Sequence, residues 1–128
     1  KHVTELVQWI QEQSWYENTT IVLAGDHKSM DPDWFKDIEA SGYNRKCYYA
    51  IINSAAAPIT SNSRKITTYD LFPTTLASLG VTFNSDRLGL GTNLYTDEET
   101  LVEKLDFKKF DKELTRHSNY YDKYIWLN

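Results

Sequence analysis

Cysteine is almost absent from this chain, which limits what can hold the fold together. The single Cys47 cannot form a disulfide within one chain, so cysteine usage leaves the cellular compartment undecided. No apolar run approaches the ~20 residues that a membrane-spanning helix needs, and no signal peptide opens the sequence at Lys1. These absences exclude a disulfide-stapled scaffold and a membrane-spanning helix within this stretch of sequence.

Excess positive charge is also lacking. The net charge is -4 and the basic residues are scattered, so no nucleic-acid stripe and no polybasic membrane patch stands out. With 128 residues, 41% hydrophobic and 25% charged, the composition indicates one soluble globular domain. The nine Tyr and four Trp are compatible with carbohydrate or headgroup contacts, but we favour ordinary packing. Because the chain starts without Met inside a helical pattern, we expect it to be a piece of a longer protein.

A short apolar run that ends in a polar tripeptide is the most informative stretch. Residues 21–24 are apolar without alternation, which predicts a strand covered on both faces, as in a parallel sheet between helices. Gly25, Asp26 and His27 follow, where such sheets bind ligands. Asp and His are divalent-metal ligands, yet a solvated turn capped by Asp26 explains the tripeptide equally well. Lys28 is a candidate contact for an anionic group or a merely solvated lysine.

Local signals place the remaining elements. A helical pattern precedes the strand, and Asp31 with Pro32 predicts the start of another helix. We therefore favour a capping role for Asp31 and Asp33 over a role as metal ligands. A second strand is expected at 47–53, followed by a surface loop through Ser54, Pro58, Ser61, Asn62 and Ser63. Arg64 and Lys65 then stand as possible phosphate contacts or solvated charges.

The C-terminal half reads as helices. Asp70 predicts a helix cap with Pro73 in the first turn, and Gly80 predicts the helix end. The expected buried face of this helix comprises Leu71, Thr75, Leu76 and Leu79. A capping box at 96–99 predicts a further helix, and an aromatic helical tail follows at 97–128. His2 and His117 are expected at the surface.

In combination these pieces resemble the C-terminal part of a sulfatase-type domain of the alkaline phosphatase superfamily, and most closely the lipoteichoic acid synthase and phosphoglycerol transferase group. The resemblance covers roughly residues 2–96. The matching stretches are residues 18–27, 29–31, 51–54, 68–76 and 89–94. It implies an α/β fold, a partial alkaline-phosphatase-like sandwich with a small, mostly parallel sheet flanked by helices, in which residues 1–128 form one domain.

The resemblance also implies a chemistry. Asp26 and His27 would bind a divalent cation, manganese in the best-known members and zinc, magnesium or calcium in relatives. Lys28 is a candidate substrate contact because of its charge beside His27 and not because of the resemblance. A metal-activated threonine would attack the phosphodiester of phosphatidylglycerol, and the resulting glycerophosphate ester would pass to a growing cell-envelope polymer. The parent enzyme would act at the extracellular face of the membrane, anchored by an N-terminal region.

Two departures limit the resemblance. No segment here matches the nucleophilic threonine or the further acidic ligand, which family members supply from upstream sequence. Lys28 stands where many sulfatases have Gly, which argues against sulfate-ester hydrolysis. We therefore expect half of an active site, catalytically silent alone. The alternatives are a sulfatase or phosphodiesterase of the same superfamily, and a non-catalytic module that binds cell-wall polymer or a partner protein.

Overall fold

The computed structural model describes residues 1–57 and 63–126. The predicted loop residues Pro58, Ser61 and Asn62 lie outside the described residues. The helices are α1 (His2–Gln11), α2 (Pro32–Ala40), α3 (Leu71–Ser78), α4 (Leu101–Leu105), α5 (Phe107–Leu114) and α6 (Asn119–Tyr121). The strands are β1 (Ile21–Ala24), β2 (Tyr49–Ile52), β3 (Arg87–Leu88) and β4 (Gly91–Thr92). Short 3₁₀ turns lie at Tyr16–Asn18 and Thr68–Asp70, and a π-helical turn lies at Asp122–Trp126.

The predicted mostly parallel sheet is wrong. Both strands that the sequence indicated are present, but β1 pairs with β2 antiparallel, with Ile21 opposite Ile52. β3 and β4 form a second antiparallel pair, and no parallel pairing occurs in the described ranges. An apolar run reports burial and carries no information about strand direction. A parallel crossover would also need its helix packed on the sheet, whereas α2 buries none of its residues.

The β1–β2 ribbon is anchored at its base to α3. The backbone N–H of Ala55 donates to the Ser78 carbonyl at 2.8 Å, and the Thr20 hydroxyl donates to the Asn53 carbonyl at 3.0 Å. Asn53 has a φ of 58°, and its side-chain amide donates to the Thr19 carbonyl at 2.9 Å. Asn tolerates this left-handed conformation better than most residues do. These contacts fix the ribbon so that its far end presents Gly25.

A buried carboxylate holds the region around α3. Asp70 is 1% exposed, and one of its oxygens accepts from the backbone N–H of Thr67 at 2.7 Å and from the Thr67 hydroxyl at 3.1 Å. The other oxygen accepts from the backbone N–H of Thr92 at 2.8 Å. The Thr74 hydroxyl donates to the Asp70 carbonyl at 2.6 Å and accepts from the backbone N–H of Leu94 at 3.0 Å. The interior here is therefore a hydrogen-bonded polar network.

The predicted buried face of α3 is also wrong. The buried residues are Pro73, Thr74, Ala77 and Ser78, whereas Leu79 is exposed. The reason is the close approach of β4: a Cβ added at Gly91 would overlap the Tyr69 carbonyl in the turn before α3 and would lie 3.0 Å from Pro73 Cδ in α3. Only small side chains fit between α3 and a strand that lies so near. The predicted helix end is confirmed, because Gly80 follows α3 with a φ of 79°.

Arg64 and Glu103 form an ion pair, here called the clasp, that ties the chain ahead of α4 to α4 itself. Their side chains form an ion pair at 2.9 Å, and Glu103 also accepts from the backbone N–H groups of Thr100 at 2.8 Å and Lys65 at 2.9 Å. Burial alone raises the pKa of Glu103, but the hydrogen bonds from Arg64, Thr100 and Lys65 outweigh burial and lower that pKa to about 2. Arg64 is thus committed to structure and not to a phosphate.

Helix α4 begins later than predicted. The capping box is formed by Thr100 and Glu103, not by residues 96–99, and Glu103 in that position also pairs with Arg64. The aromatic tail is helical, as predicted, and it docks through Phe110, which is buried and packs edge-on against Tyr69 with 6.1 Å between ring centroids. Trp126 and most other tail aromatics are exposed.

The lowered pKa of Glu103 predicts acid sensitivity. A carboxyl group whose pKa falls on folding contributes stability above its unfolded pKa, and that contribution is lost as the pH falls from 4.5 towards about 2. We expect Glu103→Gln to remove a pH-dependent part of the free energy of unfolding on the order of 1–2 kcal/mol. Urea unfolding at about pH 3 and about pH 6 measures this. The exposed Glu12→Gln is the matched control, and an unchanged pH dependence in Glu103→Gln would contradict the clasp.

The hydrogen bonds of Asp70 predict that replacing its carboxylate with an amide of the same shape lowers the stability of the fold. Asp70→Asn keeps the side-chain volume but turns an NH₂ donor towards a backbone N–H or a hydroxyl that now donates to the carboxylate. We expect the free energy of unfolding to fall by about 2–3 kcal/mol. The control is Asp111→Asn on α5, where the side chain is exposed. Equal stability of the two variants would show that the network is not needed.

Candidate functional site

The candidate site begins where β1 ends. The backbone N–H of Gly25 donates to the Tyr48 carbonyl at 2.8 Å, so the pairing of the ribbon continues one residue beyond β1. A Cβ added at Gly25 would lie 3.3 Å from the Tyr48 nitrogen. A glycine therefore lets the two chains stay close up to the point at which Asp26 and His27 leave the ribbon.

Asp26 and His27 direct one donor atom each to a common point. Asp26 Oδ2 lies 3.4 Å from His27 Nε2, and both side chains are exposed to solvent. The other carboxylate oxygen accepts from the His27 backbone N–H at 2.8 Å, which holds the carboxylate in place. Since 3.4 Å exceeds the usual N–H···O range of about 2.7–3.2 Å, the two atoms are not committed to each other.

The histidine has a partner for its other ring nitrogen. His27 Nδ1 lies 2.8 Å from the Lys28 carbonyl oxygen. A carbonyl only accepts, so Nδ1 carries a hydrogen and donates it, and in the neutral imidazole this arrangement leaves the lone pair on Nε2. Metal-binding histidines are oriented by such a hydrogen bond to a backbone carbonyl. His27 is therefore in the tautomer that a metal at Nε2 requires.

The spacing of these two donors fits one cation. Two ligand atoms at about 2.1 Å from a tetrahedral metal lie ~3.4 Å apart, which is the separation found. The set is incomplete, however, since no group of three or more His, Cys, Asp or Glu capable of holding a metal occurs in the described parts of the chain. Two protein ligands leave most coordination positions to water or to groups outside this site.

The neighbouring Asp31 is a helix cap, as predicted, and Asp33 lies in the first turn of the same helix. Asp31 accepts from the backbone N–H groups of Asp33 at 3.2 Å and Trp34 at 3.3 Å at the start of α2. His2 and His117 lie away from the site with exposed side chains, each beside a carboxylate on its own segment, Glu5 and Asp122 respectively. The surface locations predicted for both histidines are confirmed.

A cavity of about 300 Å³ adjoins His27. Its basic side chains are His27, Lys28, Arg45 and Lys46. A second cavity of about 300 Å³ lies beside α3, and no basic side chain is among its described lining residues. Lys28, the predicted substrate contact, thus shares a pocket with His27 and with two cations that sequence reasoning missed.

Arg45 connects α2 to the loop after His27. Its Nε donates to Glu39 at 2.9 Å, its Nη1 donates to the Ser29 carbonyl at 3.1 Å, and its guanidinium lies over the Phe35 ring at 4.4 Å. No local pattern marks Arg45 in the sequence, because its partners lie on other segments. Its contacts brace the loop that carries Lys28.

No protein-family model, curated protein or solved structure matches this chain. None of the described helices combines the length and apolarity needed to cross a membrane. What the site can do is therefore argued from its own residues: two metal-competent donors beside a basic pocket.

The site predicts weak but localised metal binding. With two adjacent ligands, we expect the chain to bind Mn²⁺ with a dissociation constant above about 1 µM. Asp26→Ala and His27→Ala should each weaken binding further, whereas His117→Ala should leave it unchanged. Titration calorimetry measures all four proteins. Submicromolar binding would indicate a complete site, and equal loss in the His117 variant would place the metal elsewhere.

Proposed function

We propose that this chain is the C-terminal part of a metal-dependent phosphoglycerol transferase of the lipoteichoic acid synthase type. The parent enzyme moves glycerophosphate from phosphatidylglycerol to a cell-envelope polymer. The observation that carries the proposal is the 3.4 Å pairing of Asp26 Oδ2 and His27 Nε2 beside a pocket lined by Lys28. A cation and a basic pocket at one strand end suit phosphoryl transfer.

The physical roles follow from charge. Asp26 and His27 would hold the divalent cation, which would supply Lewis-acid chemistry: a lowered pKa for a nucleophilic hydroxyl and stabilisation of charge on phosphoryl oxygens. The Lys28 ammonium adds a compact positive charge for a phosphate oxygen. The hydrogen bond from His27 Nδ1 to the Lys28 carbonyl at 2.8 Å joins the metal ligand to the residue that meets the substrate. One loop thereby orients both groups.

The exposed surface supports the idea that this chain is part of a larger catalytic domain. A compact monomer of this mass, 14.9 kDa, exposes roughly 7,000 Å². This chain exposes 10233 Å². The apolar face of α1 adds to this excess, since Val3, Leu6 and Trp9 are each more than half exposed. A two-stranded ribbon is also marginal alone, so β1 and β2 gain most from further chain packed beside them.

In this proposal the parent supplies what the site lacks. A threonine nucleophile, a further acidic ligand and a membrane anchor come from upstream sequence, and the active site faces the outside of the cell membrane. Phosphatidylglycerol or a related phosphodiester is the substrate. The metal is manganese in the first instance, with zinc, magnesium or calcium as the other candidates.

A non-catalytic binding module is the second candidate, and the exposed tail favours it. Tyr120 and Tyr124 stack with 4.8 Å between ring centroids, and Trp126 is 72% exposed. Exposed aromatic rings of this kind suit sugars or a partner protein. A hydrolase of the same superfamily, the third candidate, differs from the transferase only in using water as acceptor.

The proposal predicts that two side chains are indispensable in the parent polypeptide. Asp26→Ala and His27→Ala should each reduce Mn²⁺-dependent release of diacylglycerol from phosphatidylglycerol by more than about 100-fold, because each removes a direct metal ligand. The chain of 128 residues alone should release none. Diacylglycerol and polymer-bound glycerophosphate are measured together, so that free glycerophosphate reveals a hydrolase.

The matched control is Asp33→Ala, an exposed carboxylate nearby that lies outside the pocket. Its activity should remain within about twofold of the unaltered parent. Full activity in either site variant would refute the assignment of Asp26 and His27. Turnover by the isolated chain would show that no upstream residue is needed.

A further inference from the structure

The cavity beside His27 has two chemically different walls. Lys28 and Lys46 are among its lining residues, and neither has an ion-pair partner in the described chain. Phe35, Ile38 and Tyr43 line it with apolar surface. A small inorganic ion would leave the apolar residues without a contact, and a purely apolar ligand would leave the two lysines without one.

We propose that this cavity is a binding site for an organic phosphate ester, with the phosphate held by Lys28 and Lys46 and the apolar part of the ester on Phe35, Ile38 and Tyr43. This inference rests on the proposed function, because it assigns to that site the residues that recognise the substrate. It adds Lys46 as the second phosphate contact and α2 as the surface that takes the organic group.

Arg45 also lines the cavity but adds no uncompensated charge to it. Its guanidinium is paired with Glu39 and stacks on Phe35 at 4.4 Å, so its charge is already compensated. The uncompensated cations of the wall are therefore Lys28 and Lys46. By bonding to the Ser29 carbonyl at 3.1 Å, Arg45 holds the Lys28 loop against α2, which brings the two walls together. Arg45 is thus a positioning residue.

The volume agrees with such a ligand. About 300 Å³ lies at the lower end of the range for small-molecule pockets. It accommodates a phosphate with a short organic chain and not a complete two-chain lipid. A lipid would place its headgroup and adjoining carbons here, with the remainder outside. The shared chemistry of a lipid headgroup and a soluble ester is therefore a phosphate bonded to carbon.

Cys47 gives a direct readout because it is the only cysteine, is exposed and lines the cavity. Occupancy should shield its thiol. We would measure the rate of Cys47 alkylation by N-ethylmaleimide in the full chain, without metal, against increasing hexyl phosphate. Inorganic phosphate and hexanol serve as the two half-ligands, and vesicles with or without phosphatidylglycerol distinguish a lipid source from a soluble one.

We expect saturable protection by hexyl phosphate, with protection by phosphate alone or hexanol alone requiring about tenfold higher concentration or more. Lys46→Gln should raise the half-protecting concentration of hexyl phosphate by about tenfold, and Lys46→Arg should largely restore it. Lys36→Gln, on α2 but outside the cavity lining, is the control. Protection by phosphatidylglycerol vesicles alone would identify the lipid as the source.

Several results would overturn the site. One is that no phosphate ester protects Cys47. Another is that hexanol or inorganic phosphate protects Cys47 as well as hexyl phosphate does. A third is that Lys36→Gln raises the half-protecting concentration as much as Lys46→Gln does. The test is separable from the metal proposal. Protection that persists in Asp26→Ala, which should lose Mn²⁺ binding, supports the cavity even if the transferase assignment fails.

Discussion

The buried carboxylate of Asp70 is the constraint on which the region around α3 depends. Its two oxygens accept from Thr67 and Thr92, so the turn before α3 and strand β4 share one carboxylate. An unpaired charge at 1% exposure would cost several kcal/mol. Asp70 also contributes to the electrostatics of the β1–β2 ribbon, behind burial and Tyr95. Burial first, then the charges of Tyr95 and Asp70, raise the pKa of Tyr49 on β2 to about 12.

Local chemistry is what the sequence predicts well here. Asp31 before Pro32 specifies the start of α2, and the structure contains that cap because it needs only groups within three residues. Gly80 ends α3 for the same kind of reason, a backbone conformation that glycine adopts easily. The placement of Asp26 at a strand end was likewise readable, since an apolar run followed by Gly25 describes only its own neighbourhood.

Interactions between segments that are distant in the sequence could not be predicted from it. The direction of β2 relative to β1 depends on how the connecting chain returns, and that chain carries an α2 that buries no residue. The buried face of α3 was mispredicted because β4 lies so close that small residues, Ala77 among them, face inwards while Leu79 does not. Arg45 joined the site through partners on two other segments, which no spacing rule encodes. Asp26, His27 and Lys28 were therefore predictable from the sequence, whereas Arg45 and Lys46 were not.

Paramagnetic broadening by Mn²⁺ in NMR spectra of this chain tests whether Asp26 and His27 jointly bind one cation. Broadening depends on distance from the metal, so it locates the ion without requiring activity. The account predicts that substoichiometric Mn²⁺ first broadens signals of Gly25, Asp26 and His27, while those around His117 remain sharp. Broadening centred on His117 and Asp122, or spread evenly over the acidic surface, would contradict it.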